Sequence, residues 1–210
     1  MNFLLEHIKK TKAFYLGYII FLVLGGFVML TNSKPKIHLF INQHHSPVAD
    51  TFFKYITNLG DGWSVVVLVV ILIFINYRYA IVMAVCNILG GIVSQILKHY
   101  VFPGMLRPKG FFNNIAQLYF VPGVEIFSYN SFPSGHSVTA FAIFCCLAAW
   151  TKNSVLQIIY ICSAIVIGFS RVYLSQHFFE DVYCGSIIGV LCGMSMLLVF
   201  QKLLQSSSKK

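Results

Sequence analysis

Charged residues punctuate this chain without covering it, and the long apolar runs between them set the elements. Residues 13–33, 62–77, 79–97, 153–170 and 182–201 carry no charge at all. Residues 126–151 are also free of charge, although Ser128, Asn130, Ser131 and Pro133 make the start of that run read as loop. No run alternates polar and apolar positions, so none reads as a strand. The runs are apolar on every side, which suits a helix facing lipid, where each backbone group must be satisfied within its own segment. Six membrane helices are predicted, at about 13–32, 62–77, 79–98, 135–151, 154–170 and 179–203. The expected fold is all-α: a polytopic membrane helix bundle forming a single domain over residues 1–210.

The shortest span, 62–77, reaches across if Arg78 snorkels to one interface and Trp63 sits at the other. Lys9, Lys10 and Lys12 precede the first run, but no small-x-small cleavage pattern follows, so this run reads as an uncleaved span. In the first outer loop, Ser46-Pro47 is a good helix start, a capping residue followed by proline. Val48, Phe52, Ile56 and Leu59 then recur at helical spacing, which predicts a short helix lying in the interface. His38, His44 and His45 in the same loop lack a complete ligand set and a metal spacing, and read as a solvated loop. The tail 205–210 is expected to fray.

Composition agrees with the pattern. The chain has 210 residues, of which 58% are hydrophobic and only 10% charged, against about 25% charged in a soluble domain. That excludes an ordinary water-soluble globule. The net charge of +9 raises nucleic acid as a partner, but the cations are scattered with no dense stripe, so no nucleic-acid binding is expected. The six cysteines show no C-x-x-C spacing and read as small apolar packing residues. Six spans put both termini on one side, with Lys9, Lys10, Lys12, Arg78, Lys152, Lys202, Lys209 and Lys210. The opposite side holds Lys34, Lys36, Lys54, Lys98, Arg107, Lys109 and Arg171. With three of these seven set aside as ligands, the positive-inside rule makes the termini cytoplasmic. Glu6 is then the one internal acid, while Asp50, Asp61, Glu125, Glu180 and Asp181 face outward.

Three polar clusters sit at span ends on that outward face. Lys98 is followed by Arg107-Pro108. Pro133-Ser134-Gly135-His136 opens a helix. Ser170-Arg171 is followed by His177 and Asp181. Three cations converging near lipid repel one another unless an anion lies between them, and phosphate suits guanidinium forks and a lysine point charge. A glycine at a helix N-terminus lets backbone N–H groups approach such an anion, and the Ser134 hydroxyl adds a donor. His136 would stand beside it, placed to protonate a leaving oxygen. His177 and Asp181, four apart, share a helix face. The carboxylate can hold one ring nitrogen and leave the other free to attack. Taken singly, the cations also fit as snorkelling anchors, the tetrapeptide as an ordinary turn, and the His–Asp pair as a structural hydrogen bond. Glu180 points away from the pair on a helix and stays outside the site; His99 receives no role.

Together and in order, the clusters resemble the type 2 phosphatidic acid phosphatase superfamily. The family pattern is a lysine with Arg-Pro, then Pro-Ser-Gly-His, then Ser-Arg with His and Asp downstream. The second and third parts match residue for residue. The first departs, with eight residues (99–106) between lysine and arginine where the family has six. The resemblance implies that His177 is the nucleophile and forms a phosphohistidine. It implies that His136 protonates the leaving group and later activates water, and that Asp181 orients His177. It implies that Lys98, Arg107, Ser134, Gly135 and Arg171 hold phosphate oxygens, with no metal and no cofactor.

The expected partners are a lipid phosphate and the bilayer itself. Phe178 and Phe179, beside the nucleophile, are read as suited to acyl chains. Undecaprenyl pyrophosphate, phosphatidylglycerol phosphate and the lipid A phosphates are the candidate substrates by resemblance, with a bacterial inner membrane and a site facing the periplasm or exterior. The alternatives are a non-catalytic lipid-binding membrane protein and a phosphatase of a soluble phosphate ester.

Overall fold

The computed structural model describes residues 8–207, with side chains from 8 to 200. Glu6, Lys209 and Lys210, and the side chain of Lys202, lie outside the described residues. Among the described residues every regular element is helical and there is no strand. The helices are α1 (Lys12–Thr31), α2 (Lys34–Gln43), α3 (Pro47–Ile56), α4 (Gly62–Ile96), α5 (Pro108–Phe111), α6 (Gly135–Ala149), α7 (Ser154–Tyr173) and α8 (Phe179–Ser207). A 3-10 turn, Thr57–Gly60, joins α3 to α4, and a π turn, Leu97–Val101, follows α4. α8 continues to Ser207, past the point where fraying was expected.

α4 is two limbs. Asn76 is extended (φ −161°, ψ 104°), and its side chain accepts a hydrogen bond from the Arg78 N–H at 3.0 Å. A straight helix would hold Gly62 and Gly91 roughly 44 Å apart. Instead they line one groove, which also holds Val65 and Val69 with Ile88 and Ala84. Positions rise along one limb as they fall along the other, so the limbs lie antiparallel. Leu72, Val82, Met83 and Cys86 pack inward from this hairpin against Ile143 and Cys146 of α6.

α6 is the shortest of the long helices and the most enclosed. It packs against α4, α7 and α8, and its face buries Phe141, Cys145 and Ala148 against Phe14 and Tyr18 of α1 and Ile161 of α7. α1 is apolar all round and exposes Ile20, Leu24, Phe27 and Leu30 outward, the surface a bilayer covers. Its start is tied to the start of α7 by the Gln157 side chain, which accepts from Ala13 N and donates to Lys10 O.

The α6–α8 seam is closed by glycine. A Cβ on Gly189 would lie 2.4 Å from the Val138 carbonyl oxygen, and one on Gly185 would lie 2.7 Å from that of Ser134. Backbone cannot yield as a flexible side-chain tip can. Gly189→Ala is therefore expected to cost about 3 kcal/mol, the upper end of overpacking. Gly62→Ala, with nothing within 4 Å, should stay within about 0.5 kcal/mol. Thermal melts in detergent compare the two.

The first outer loop holds more structure than its polarity suggested. α3 starts at Pro47, with Ser46 accepting from Ala49 N at 3.3 Å. Its apolar residues Val48, Phe52 and Tyr55 point outward while Asp50 points in. Asp50 accepts from the hydroxyls of Tyr173 at 2.5 Å and Tyr119 at 2.6 Å. α2 was not anticipated. It buries His38 and Asn42, one turn apart, and both bond the Ser175 hydroxyl, at 3.2 and 3.1 Å. His38 is thus not part of a solvated loop. It is 1% exposed and lies against the rings of Phe112 and Phe178. His44 and His45 are exposed.

Candidate active site

Four helix ends meet at one end of the bundle: the close of α4, the start of α6, the close of α7 and the start of α8. The chain from α7 to α8 turns tightly. Leu174 N bonds Ser170 O, Gln176 N and His177 N both bond Arg171 O, and Ser175 adopts a left-handed φ of 54°. This turn aims His177 into the bundle, where it is 2% exposed.

Asp181 follows in the first turn of α8. Its Oδ2 lies 3.3 Å from His177 Nδ1 and also accepts from Phe178 N at 2.9 Å and the Ser131 hydroxyl at 2.5 Å. The carboxylate contact favours the tautomer with its proton on Nδ1, which leaves the Nε2 lone pair free. Burial, reinforced by the charges of Arg107, Arg171 and Lys98, pushes the His177 pKa well below its ordinary value. The imidazole is therefore neutral, the form that can attack.

The same three cations act electrostatically on His136 as well, so Lys98, Arg107, Arg171, His136 and His177 form one group. Each is held by a different element. Arg171 ends α7 and donates from Nη1 to Thr57 Oγ1 at 2.9 Å, while its buried Nε has no partner. Arg107 is gripped by backbone. Its Nε donates to Tyr129 O at 2.9 Å, and its Nη1 donates to Gln176 O at 3.2 Å and to Gln176 Oε1 at 3.1 Å. Ser134 caps α6, accepting from Ser137 N at 3.4 Å and from the Ser137 hydroxyl at 2.9 Å. Its own N–H bonds Asp181 O at 3.0 Å, which fastens the start of α6 to the start of α8. Gly60 lies against His136, where an added Cβ would sit 3.2 Å from the histidine Cβ. Among the described residues, no group of three His, Cys, Asp or Glu side chains could hold a metal ion.

The segment between α4 and α6 walls the group. Arg107 N bonds Ser128 O and Ser131 N bonds Met105 O, while the Gln176 amide donates to Glu125 O. Thr57, Ser131 and Gln176, which hold Arg171, Asp181 and Arg107, carry no sequence signal. Each is an ordinary polar residue far along the chain from its partner. Glu180 pairs with Lys34 at 2.5 Å, and Lys34 Nζ stands 4.1 Å above the Phe178 ring. Phe178 is fully buried with Phe112 and Leu118, so it cannot meet an acyl chain as its position suggested. Phe179 does reach the outer surface. With Val28, Phe40 and Phe169 it lines an apolar cavity of about 530 Å³.

His38 reads out this packing. Burial lowers its pKa from 6.5 to about 4, with the Asp181 charge opposing. Between these values the unfolded chain binds a proton that the folded one refuses. The stability is present above pH 6.5 and is lost as pH falls toward 4, by about 3 kcal/mol in all. Melting in detergent at pH 7.5 and 4.5 should show a smaller acid loss for His38→Gln than for wild type.

Comparison with known proteins now adds to this geometry. Residues 79–205, more than half of the chain, match the family model described as PAP2 superfamily. The chain belongs to the PAP2 superfamily. Among curated PAP2 relatives, it is 24% identical over 181 residues to a lipid A 4'-phosphatase of Bacteroides thetaiotaomicron, covering 83% of this chain and 80% of that one. It is 29% identical over 115 residues to a lipid A 1-phosphatase of Rhizobium johnstonii, covering 55% of this chain and 45% of that longer protein. Among solved structures it resembles LpxE of Aquifex aeolicus, with TM-score 0.68 and 25% identity over 77% of this chain and 93% of that one. It also resembles the transmembrane PAP2 type phosphatidylglycerolphosphate phosphatase of Bacillus subtilis. There the TM-score is 0.66, with 24% identity over 90% of this chain and 96% of that one. With its apolar helices, this PAP2 protein is an integral membrane protein.

The longer Lys98–Arg107 interval of this PAP2 chain has a structural outlet. Lys98 lies in the π turn, closed by the Phe102 N to Leu97 O bond at 2.8 Å, and Gly104 turns the chain with φ 73°. A π turn takes up one extra residue, and the turn at Gly104 falls in the same interval. Lys98 remains buried beside Arg107 and Arg171.

Proposed function

We propose that this protein removes phosphate from a membrane lipid, without a metal, through a phosphohistidine on His177. The observation that carries the reading is the convergence of Lys98, Arg107, Arg171, His136 and a neutral His177 at the end of an apolar bundle. Nε2 of His177 attacks phosphorus as the bond to the lipid oxygen breaks, and His136, able to hold a proton once the negative charge of the bound phosphate offsets the three cations, gives that oxygen its proton. Water then attacks phosphorus, His136 accepts the water proton, the P–N bond breaks with its electron pair returning to Nε2 of His177, and inorganic phosphate leaves. Asp181 orients His177 throughout. Lys98, Arg107, Arg171, the Ser134 hydroxyl and the N–H groups that open α6 neutralise the equatorial oxygens, where phosphoryl transfer gains most.

The two limbs of α4, together with α1, α6, α7 and α8, make six spans in one domain, with α3 in the interface. Both termini are cytoplasmic, and the site faces the periplasm or exterior of a bacterial inner membrane. The first limb of α4 is only about 21 Å long, so Arg78 and Trp63 complete its crossing. A lipid is favoured over a soluble ester because α1 and α3 present apolar side chains outward and Phe179, two residues from His177, lines an apolar cavity. The names of the relatives put the lipid A phosphates first, ahead of phosphatidylglycerol phosphate and undecaprenyl pyrophosphate. Phosphate release by purified protein in detergent with excess chelator tests this, using those lipids, phosphatidic acid and glucose 6-phosphate. Release from one lipid supports the reading. Release from glucose 6-phosphate alone, or only with added metal, overturns it.

A further inference from the structure

Cys86, Gly90, Ser94 and Lys98 are the buried positions over the last turns of α4 and into the π turn. Spaced four apart, they form one stripe. The stripe runs antiparallel to α6. A Cβ on Gly90 would meet Val138 Cγ1 at 2.7 Å, and a Cβ on Gly135 would lie 3.9 Å from Ser94 Oγ. Ser94 is thus level with Gly135, at the N-terminus of α6, and one turn below Lys98.

The Ser94 hydroxyl is buried and has no hydrogen-bond partner. A serine within an apolar helix ordinarily donates to the carbonyl one turn back; this one does not. A buried hydroxyl without a partner is destabilising, and alanine would fill the same space without that penalty. The unmade bond therefore points at something that arrives. What lies between Ser94, Lys98 and the opening N–H groups of α6 is the place assigned above to phosphate.

We propose that Ser94 is a further phosphate ligand, its hydroxyl donating to an oxygen of the phosphoryl group seated between Lys98 and Gly135. This rests on the phosphatase reading. Its test measures orthovanadate binding by calorimetry in detergent with chelator, beside phosphate release, for wild type, Ser94→Ala and Ser94→Thr. Loss of one hydrogen bond to a charged group should weaken orthovanadate binding and lower kcat/KM by about 10- to 100-fold in Ser94→Ala. Ser94→Thr, which keeps the hydroxyl, should retain most of both, and the melting temperature without orthovanadate should not fall in either. Equal orthovanadate affinity in wild type and Ser94→Ala overturns the proposal while leaving the phosphatase reading intact. If wild type binds orthovanadate but hydrolyses none of the lipids, the phosphatase reading fails and the affinity comparison still decides Ser94. If wild type binds none, both fall.

Discussion

His177→Ala is expected to lower kcat by about 10⁴-fold or more, the scale seen when a covalent nucleophile is removed. The folded protein should survive, because the turn that carries His177 is held by backbone bonds to Arg171 O and by the α2 side chains on Ser175. Two further readouts separate attack from mere positioning. Wild type briefly mixed with labelled lipid should carry acid-labile label, and the alanine variant none. Free imidazole should restore turnover to His177→Gly, because Asp181, Lys98, Arg107 and Arg171 remain to position it. An unlabelled wild type with full activity would exclude the covalent route.

Arg171→Ala should have the next largest effect, a loss of about 10³-fold in kcat/KM. Removing one preorganised donor from a transition-state oxygen commonly costs 10²–10³-fold, and here a buried full charge goes with it. Arg171→Lys is expected to recover little. The guanidinium places one nitrogen on Thr57 and keeps Nε free of any protein partner, and an ammonium cannot divide itself that way. Thr57→Val should lose far less than either, since the charge stays. Steady-state kinetics on the lipid found by the substrate panel, with melting temperatures for each variant, check the order. Near-wild-type turnover by Arg171→Lys would show that charge alone is needed there.

The helices were legible because lipid forbids charge over a length that only a helix can fill. Runs that are apolar on every side therefore announce themselves, and Arg78 marks the bend beside Asn76. α2 was not legible. Its two lysines and its histidine look like loop, and only the fold reveals that His38 and Asn42 turn inward to hold Ser175. Phe178 misled for the converse reason: an aromatic residue beside a polar site can face the core. The three polar clusters were legible because cations, histidines and an acid are conspicuous against an apolar background, and the structure brings all three together. Their supports were not. Thr57 lies 114 residues from Arg171, and Ser131 lies 50 from Asp181. No local pattern connects an ordinary hydroxyl to a partner so distant.

The glycine seam bears on how such a molecule can change. Gly185 and Gly189 press α8 on the backbone of α6, so His136, in the first turn of α6, and Asp181, in the first turn of α8, ride on what is mechanically one block. At these two positions no side chain of α8 stands between the helices. The spacing between His136 and Asp181, the residue in contact with the His177 ring, is therefore held by main chain, through this seam and the Ser134 N to Asp181 O bond. The segments around the block add contacts of their own: Ser131 bonds Asp181, and His38 and Asn42 of α2 bond Ser175. Segments from a relative with a different lipid could take their place around this seam only if they restored those contacts.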